Sequence, residues 1–173
     1  MFKYDGISFR IVEERDLADM RDLRNDPSTW MYLTSPGEIT EEEQLEWFER
    51  LNISRDRRYY ALLDEALNFM GSIRTDEIDW LNKSMRVGVD IIPEKRGQGY
   101  GTKAYGALLK YCFDHLNMHR VWLCVLDNNN PAISLYKKVG FQKEGKMRQA
   151  VWRDGKWRNY IIMSILKEEY KES

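Results

Sequence analysis

An apolar strand that runs straight into a glycine-dense basic turn, and from there into a helix, constrains this chain more than any other stretch. Val87-Gly88-Val89-Asp90-Ile91-Ile92 supplies the strand and Pro93-Glu94-Lys95-Arg96 the approach. Gly97-Gln98-Gly99-Tyr100-Gly101-Thr102-Lys103 supplies the turn and the helix start. Glycine at alternate positions permits positive φ and removes side chains that would hold a ligand away, so successive N–H groups converge on one oxygen cluster. The helix opening near Thr102 adds unpaired N–H groups and the positive end of its dipole. The segment therefore predicts a cradle for phosphate or pyrophosphate. The plainer alternative is a glycine-rich connection from strand to helix.

Two common phosphate-binding schemes fit poorly. A Walker A loop needs Gly-Lys-Ser/Thr closing a longer loop, whereas the order here is Gly101-Thr102-Lys103; a dinucleotide fingerprint needs G-x-G-x-x-G, and this turn reads G-x-G-x-G in mid-chain. A third pattern, Gln/Arg-x-x-Gly-x-Gly/Ala, is matched by Arg96-Gly97-Gln98-Gly99-Tyr100-Gly101. Downstream, the strand-like His119-Arg120-Val121-Trp122-Leu123-Cys124-Val125-Leu126 leads into a second pattern, Asn-x-x-Ala-x-x-x-Tyr-x-x-x-Gly-Phe. Asn129, Ala132, Tyr136, Gly140 and Phe141 all fall in its register. In this order, separated by one helix and one strand, the two motifs resemble those of the GNAT superfamily of N-acetyltransferases. The resemblance is sharp from Arg86 to Phe141 and extends as a pattern of elements from Ile7 to Leu166.

The resemblance implies acetyl-CoA as cosubstrate and no metal. It assigns the pyrophosphate to Arg96, Gly97, Gln98, Gly99, Tyr100, Gly101 and Thr102, and the pantetheine arm to a gap between the fourth and fifth strands, 85–92 and 121–126. There the backbone near Val89 and Ile91 would pair with its amides and polarise the thioester carbonyl, Asn129 would border the cofactor, and the Tyr136 phenol would meet the leaving sulfur. Transfer of a proton from a phenol of pKa ~10 to a thiolate of pKa ~8.5 is uphill by roughly 2 kcal/mol, so a strong hydrogen bond is the alternative to full transfer. Taken without its motif, Tyr136 would be read as packing beside Phe141, and Asn129 as a helix cap, with Asn130 before Pro131 the better cap candidate.

The general base is harder to place. Relatives carry Glu two residues before the glycine of the fourth strand, where this chain has Arg86. Asp90 shares the Arg86 face on a period-2 strand and is the candidate base, alone or through a water; the competing reading is an Arg86–Asp90 ion pair. Asp76, Glu77 and Asp79 are further candidates.

For the acceptor, Trp30, Tyr32, Arg86 and Trp152 are taken as substrate-binding, with Trp157 and Tyr160 concentrated in the same two regions. The stretches Leu23-Arg24-Asn25-Asp26-Pro27 and Arg153-Asp154-Gly155-Lys156-Trp157-Arg158-Asn159-Tyr160 are similar to the branch of ribosomal-protein N-terminal, spermidine and amino-sugar-nucleotide acetyltransferases. A small-molecule amine is implied. An amino sugar or amino-sugar nucleotide, held by Trp30, Tyr32 and Arg153, is set ahead of a polyamine held by Glu38, Glu41, Glu42 and Glu43, which otherwise read as a solvated helix start. A protein N-terminal amine stays open, as does a coenzyme A sensor without turnover, against which the retained Tyr136 argues.

Composition sets the remaining bounds. At 173 residues, 43% hydrophobic and 32% charged, the chain is expected to form one domain over 1–173. A net charge of −1 offers no basic field for nucleic acid. Cys112 and Cys124 lie in apolar stretches and, with only His115 and His119 besides, suggest neither a disulfide framework nor zinc. No leader and no apolar run of ~18 residues is seen, so a cytoplasmic protein without a membrane span is expected. A homodimer through the last strand or the exposed aromatics is a further expectation. The element order predicts an α+β domain with a mixed, mostly antiparallel sheet of about seven strands and helices on both faces. Strands are read at 7–12, 59–63, 69–78, 85–92, 121–126, 141–150 and 157–165, and helices at 16–24, from 40 to about 51, at 102–116, and around Tyr136. In the second helix Leu45, Trp47, Phe48 and Leu51 are the expected buried stripe.

Overall fold

This computed structural model describes residues 1–33 and 37–171. Its strands are β1 (Phe2–Tyr4), β2 (Ile7–Ile11), β3 (Arg58–Leu63), β4 (Phe69–Asp79), β5 (Ser84–Ile91), β6 (Arg120–Leu126), β7 (Gln142–Arg153) and β8 (Lys156–Leu166). Together they form a single eight-stranded sheet in the order β1-β2-β3-β4-β5-β6-β8-β7. One more strand is present than the sequence suggested. Short β1 pairs with β2 through Asp5 and Gly6, both at positive φ, a two-residue hairpin turn that Asp-Gly favours.

Side-chain alternation on β3 separates the two faces. Tyr60 and Leu62 join Phe9, Ile73, Met85 and Leu123 in the main core, which is covered by α4 (Tyr100–Lys110) and α5 (Asn130–Lys138). Tyr59 points the other way, toward Val12, Leu17, Met20 and Leu51 under α1 (Leu17–Asn25) and α3 (Glu41–Ile53). Helix α3 starts at a capping box: Thr40 N–H donates to Glu43 Oε2 at 2.7 Å and Glu43 N–H donates to Thr40 Oγ1 at 3.1 Å, an arrangement contributing about 1 kcal/mol. Its buried stripe is Gln44, Trp47, Phe48 and Leu51; Leu45 faces solvent, because the stripe is phased from residue 44 and Leu45 lies about 100° round the helix from it.

Other boundaries move for local reasons. Pro27–Trp30 forms a short helix, α2, between the expected helices at 16–24 and from 40, with Asp26 accepting from Ser28 N–H at 2.8 Å. Helix α4 begins at Tyr100 and widens into a π-turn over Tyr111–His115, where Leu116 N–H reaches back to the Tyr111 carbonyl at 3.1 Å. That widening lets Cys112 and Phe113 both point into the core.

The feature that shapes the site is the junction of β5 and β6, the one parallel pairing among the described residues. It is limited to Ser84 with Arg120, Met85 with Val121 and Arg86 with Trp122. From Val87 onward β5 keeps β4 as partner on one edge and faces a gap on the other.

Candidate active site

Strand β5 turns through Pro93–Lys95 into Gly97 and Gly99, at φ 73° and 87°, before α4 begins. A Cβ on either glycine would meet nothing within 4 Å, so both are required by backbone conformation and both face open space, as a phosphate cradle needs. Gly101 serves packing instead. A Cβ there would come within 2.7 Å of Leu135 Cδ1, so the bare backbone lets α4 and α5 approach closely.

The Arg96 guanidinium braces this turn. Its Nε donates to the Ile91 carbonyl at 2.8 Å, Nη1 to Ser28 Oγ at 2.6 Å and Nη2 to Thr29 Oγ1 at 2.5 Å. Because the Ile91 carbonyl points to the open edge, Val89, two residues earlier, presents its N–H and C=O to the same gap. Of the expected turn residues, Arg96, Gly97, Gly99, Gly101 and Thr102 border the gap, as do Val89, Ile91, Asn129 and Tyr136. Gln98 instead donates to the Glu94 carbonyl at 2.7 Å, and Tyr100 packs under the Lys95 ammonium at 5.3 Å.

The gap is a cleft of about 610 Å³ running from this turn between β5 and β6 to α5. Asn129, not Asn130, caps α5: its side-chain oxygen accepts from Ala132 N–H at 3.3 Å, so the Asn-x-x-Ala spacing is itself the capping bond. The Tyr136 ring packs against Tyr105 at 5.2 Å and Phe141 at 5.9 Å while lining the cleft, so it is both a packing residue and a cleft residue. Burial pushes its phenol up, and the neighbouring Tyr105 hydroxyl pulls the other way.

A second cavity, about 500 Å³, lies between α1, α3 and the sheet. The two cavities share Thr29, Leu33, Arg74 and Asp90 in their linings. At this junction Arg74 Nη1 is 3.6 Å from Asp90 Oδ2, and the guanidinium lies across Gly88, where a Cβ would come within 2.6 Å of its Cζ. Burial works against the Arg74 charge, but Asp90, Tyr59 and Asp76 outweigh it and raise the group above its ordinary value. Sequence reasoning missed Arg74; the signal was a glycine in the middle of β5, which marks close approach of something to the strand.

The expected Arg86–Asp90 pair does not form. Arg86 binds Asp76 through Nε at 2.7 Å and Nη2 at 3.0 Å and reaches Glu77 at 3.1 Å, because Asp76 is its direct partner across the β4–β5 ladder. Asp79 accepts from Leu81 and Asn82 N–H in the hairpin turn. Asp90 thus stands at the junction, while Asp76, Glu77 and Asp79 are held elsewhere. Tyr32 lines the cleft; Trp30, Arg86 and Trp152 line neither cavity. Trp152 meets Trp157 edge-on at 5.4 Å near the tip of the β7–β8 hairpin, and Arg153 ties that hairpin to the Leu33 carbonyl. Of the acidic residues at the start of α3, only Glu43 reaches the second cavity, where Glu46, Trp47, Tyr59, Arg24 and Arg50 join it.

Cys112 is buried with its sulfur 3.5 Å from that of Met85, and burial raises the thiol of Cys124, which lines the cleft. Among the described residues no group of three His, Cys, Asp or Glu side chains is placed to hold a metal ion, and no helix is long and apolar enough to cross a membrane.

A sheet splayed beside a glycine turn at a helix N-terminus, with a phenol facing the gap, defines a coenzyme A-dependent acyltransferase, and the open cradle at Gly97 and Gly99 fits the pyrophosphate of that group. Residues 7–142 match the acetyltransferase (GNAT) domain family, to which the chain belongs. It is 27% identical to the spermidine N(1)-acetyltransferase of Vibrio cholerae serotype O1 over 165 residues, 95% of each chain. It is 28% identical to that of Escherichia coli K12, over 95% of this chain and 88% of the other. A putative ribosomal N-acetyltransferase of Bacillus subtilis, YdaF, is 25% identical over 96% and 94%. The crystal structure of the Vibrio cholerae spermidine N-acetyltransferase in complex with CoA and spermine superposes with a TM-score of 0.91, at 25% identity and covering 95% of this chain and 98% of that one. The chain is an acetyl-CoA-dependent N-acetyltransferase.

Proposed function

We propose that this enzyme acetylates a primary amine of a small molecule, with a polyamine as the acceptor class. The observation that carries the reading is the meeting of the two cavities at Arg74 and Asp90, with Glu43, Glu46, Trp47 and Tyr59 lining the acceptor side. Carboxylates and aromatic faces are the groups that hold extended ammonium chains. The spermidine acetyltransferases among its relatives support the same class, in place of the amino-sugar nucleotide preferred from sequence. For that acceptor the expected handles were Trp30, Tyr32 and Arg153, of which Tyr32 lines the cleft. Trp30 lies outside both cavities, and Arg153 is bonded to the Leu33 carbonyl.

In the proposed mechanism the open edge of β5 at Val89 polarises the thioester carbonyl by an N–H donor. Asp90, at the cavity junction, takes the proton lost by the amine, directly or through a water. Tyr136 meets the departing sulfur from α5. Arg96, Gly97, Gly99, Gly101 and Thr102 form the pyrophosphate end of the cleft, and bound acetyl-CoA supplies the activated acyl group. An enzyme using acetyl-CoA in this way would work in the cytoplasm. A homodimer through the β7 edge or the Trp152–Trp157 pair is part of the proposal, and sedimentation separates a 20.7 kDa monomer from its dimer.

A second reading rests on Arg24, Arg50 and Arg74, which share the acceptor cavity and suit an amine bearing an anionic group. Thiol release with spermidine, spermine, an amino sugar, an amino-sugar nucleotide and short peptides tests both. Turnover of spermidine, with Glu46→Gln raising its KM several-fold and Arg50→Gln not doing so, supports the polyamine. Turnover confined to phosphorylated amines and sensitive to Arg50→Gln replaces it with the second reading.

A further inference from the structure

We propose that Tyr105 is a positioning residue for the leaving-group phenol: its hydroxyl donates a hydrogen bond to the Tyr136 oxygen while Tyr136 donates to the departing coenzyme A sulfur. This inference rests on the reading of Tyr136 given above. Tyr105 lies in the second turn of α4, directly after the phosphate turn, and is 2% exposed. Its ring meets Tyr136 edge-on at 5.2 Å, and Phe141 closes the cluster at 5.9 Å from each ring. It lines the cleft, yet its hydroxyl has no hydrogen-bond partner among the described residues.

A buried O–H without an acceptor is destabilising, and phenylalanine would fill the same space without that cost. The oxygen becomes favourable only in a state that supplies an acceptor. Tyr136 supplies one when negative charge gathers on its own oxygen. The other charged groups facing the two phenols are Arg74 from β4 and Asp90 from β5. Burial raises both phenols above their ordinary value. With the Tyr136 proton engaged by sulfur, the donor left in this pair is Tyr105 and the acceptor is the Tyr136 oxygen, and the edge-on contact at 5.2 Å brings the two rings together.

During transfer the amine nitrogen bonds to the carbonyl carbon, the C–S bond breaks, and its electron pair passes to sulfur. Tyr136 shares its proton with that sulfur or gives it up, and the Tyr105 O–H stabilises the charge left on the Tyr136 oxygen. The proton lost by the acylated nitrogen leaves through Asp90 to solvent, from which Tyr136 regains its own. A chain of hydrogen bonds among buried groups strengthens each member.

Calorimetric titration with coenzyme A from about pH 7 to about pH 9.5 tests this without an acceptor. Hydrogen bonds to sulfur favour the bound thiolate, so wild-type affinity for coenzyme A rises with pH through the thiol range at ~8.5, relative to acetyl-CoA, which has no thiol and serves as control. Tyr105→Phe is expected to lose about two- to tenfold of that gain while binding acetyl-CoA as the wild type does. With spermidine as probe acceptor, kcat falls by a similar factor and the KM for acetyl-CoA does not change. In a Tyr136→Phe background the same substitution adds nothing. Retention of the full gain by Tyr105→Phe, weakened acetyl-CoA binding, or an equal loss in both backgrounds overturns the proposal. Loss of the gain in Tyr136→Phe but not in Tyr105→Phe removes only the role of Tyr105, whereas retention in Tyr136→Phe removes the reading of Tyr136 itself.

Discussion

Burial limits what Tyr136 can do with its proton. Its phenol is raised, so complete transfer to a thiolate is steeper than the roughly 2 kcal/mol of the unperturbed pair, and stabilisation by a short hydrogen bond carries more of the effect. Tyr136→Phe should lower kcat about 10²-fold or more while leaving acetyl-CoA affinity within about twofold, read by steady-state kinetics beside calorimetry. Gly88→Ala should fold, since the clash is with the end of a flexible side chain, but should push the Arg74 guanidinium off β5 and reduce kcat/KM for the amine. Asp16 gives a pH-dependent test of stability. It accepts from both terminal nitrogens of Arg10, at 2.7 and 2.8 Å, and from Glu13 N–H at 2.8 Å, and the Arg10 and backbone bonds hold its carboxyl below the ordinary value although burial opposes them. A depressed folded-state value means that the contribution is present above about pH 4 and is lost as pH falls through the folded value. Asp16→Asn should therefore lower the Tm at neutral pH, and the difference from wild type should shrink on acidification below about pH 4. That Tyr136, Gly97 and Gly99 border one cleft was legible because motif spacing marks them directly. Arg74 was not, since an arginine on a strand carries no local signature and its place at the junction comes from the β4–β5 register, the same register that gives Arg86 to Asp76 and leaves Asp90 to Arg74.

At the scale of elements, the turn proposed to hold the pyrophosphate joins a conformational demand to an open surface. Gly99→Ala should cost about 1–2 kcal/mol of stability through its left-handed φ, with no steric clash, whereas Gly99→Glu should abolish acetyl-CoA binding by placing a carboxylate in the cradle proposed for the pyrophosphate; thermal melts and calorimetry separate the two effects. Elements with strong local chemistry fall where they were expected: the helix from residue 40 opens at the Thr40–Glu43 box, and the strands expected at 141–150 and 157–165 are joined where Asp154 and Gly155, both at positive φ, turn the β7–β8 hairpin. Those with weak or competing signals do not. Strand β1 is three residues long, the stripe of α3 begins at a glutamine, and the π-turn that ends α4 follows from how Cys112 and Phe113 fit the core, which no spacing in the chain announces.

In the whole molecule, β1 to β5 and β6 to β8 are joined at the sheet by three paired residues, and the cleft is lined from both parts. A ligand seated there ties the two parts together, so acetyl-CoA at about a hundred times its Kd should stabilise the fold by about 2.7 kcal/mol and raise the Tm by about 5–10 °C. A melt unmoved by the ligand would contradict the placement. The shared boundary of the two cavities has a kinetic consequence as well. On the proposed placement both reactants sit at once on opposite sides of Arg74 and Asp90, and Cys124, whose thiol is raised by burial, is a poor relay for the acyl group. Initial rates should therefore trace intersecting double-reciprocal lines, not the parallel lines of an acyl-enzyme, and a single inhibitor made by bridging coenzyme A to an amine should bind more tightly than either half alone.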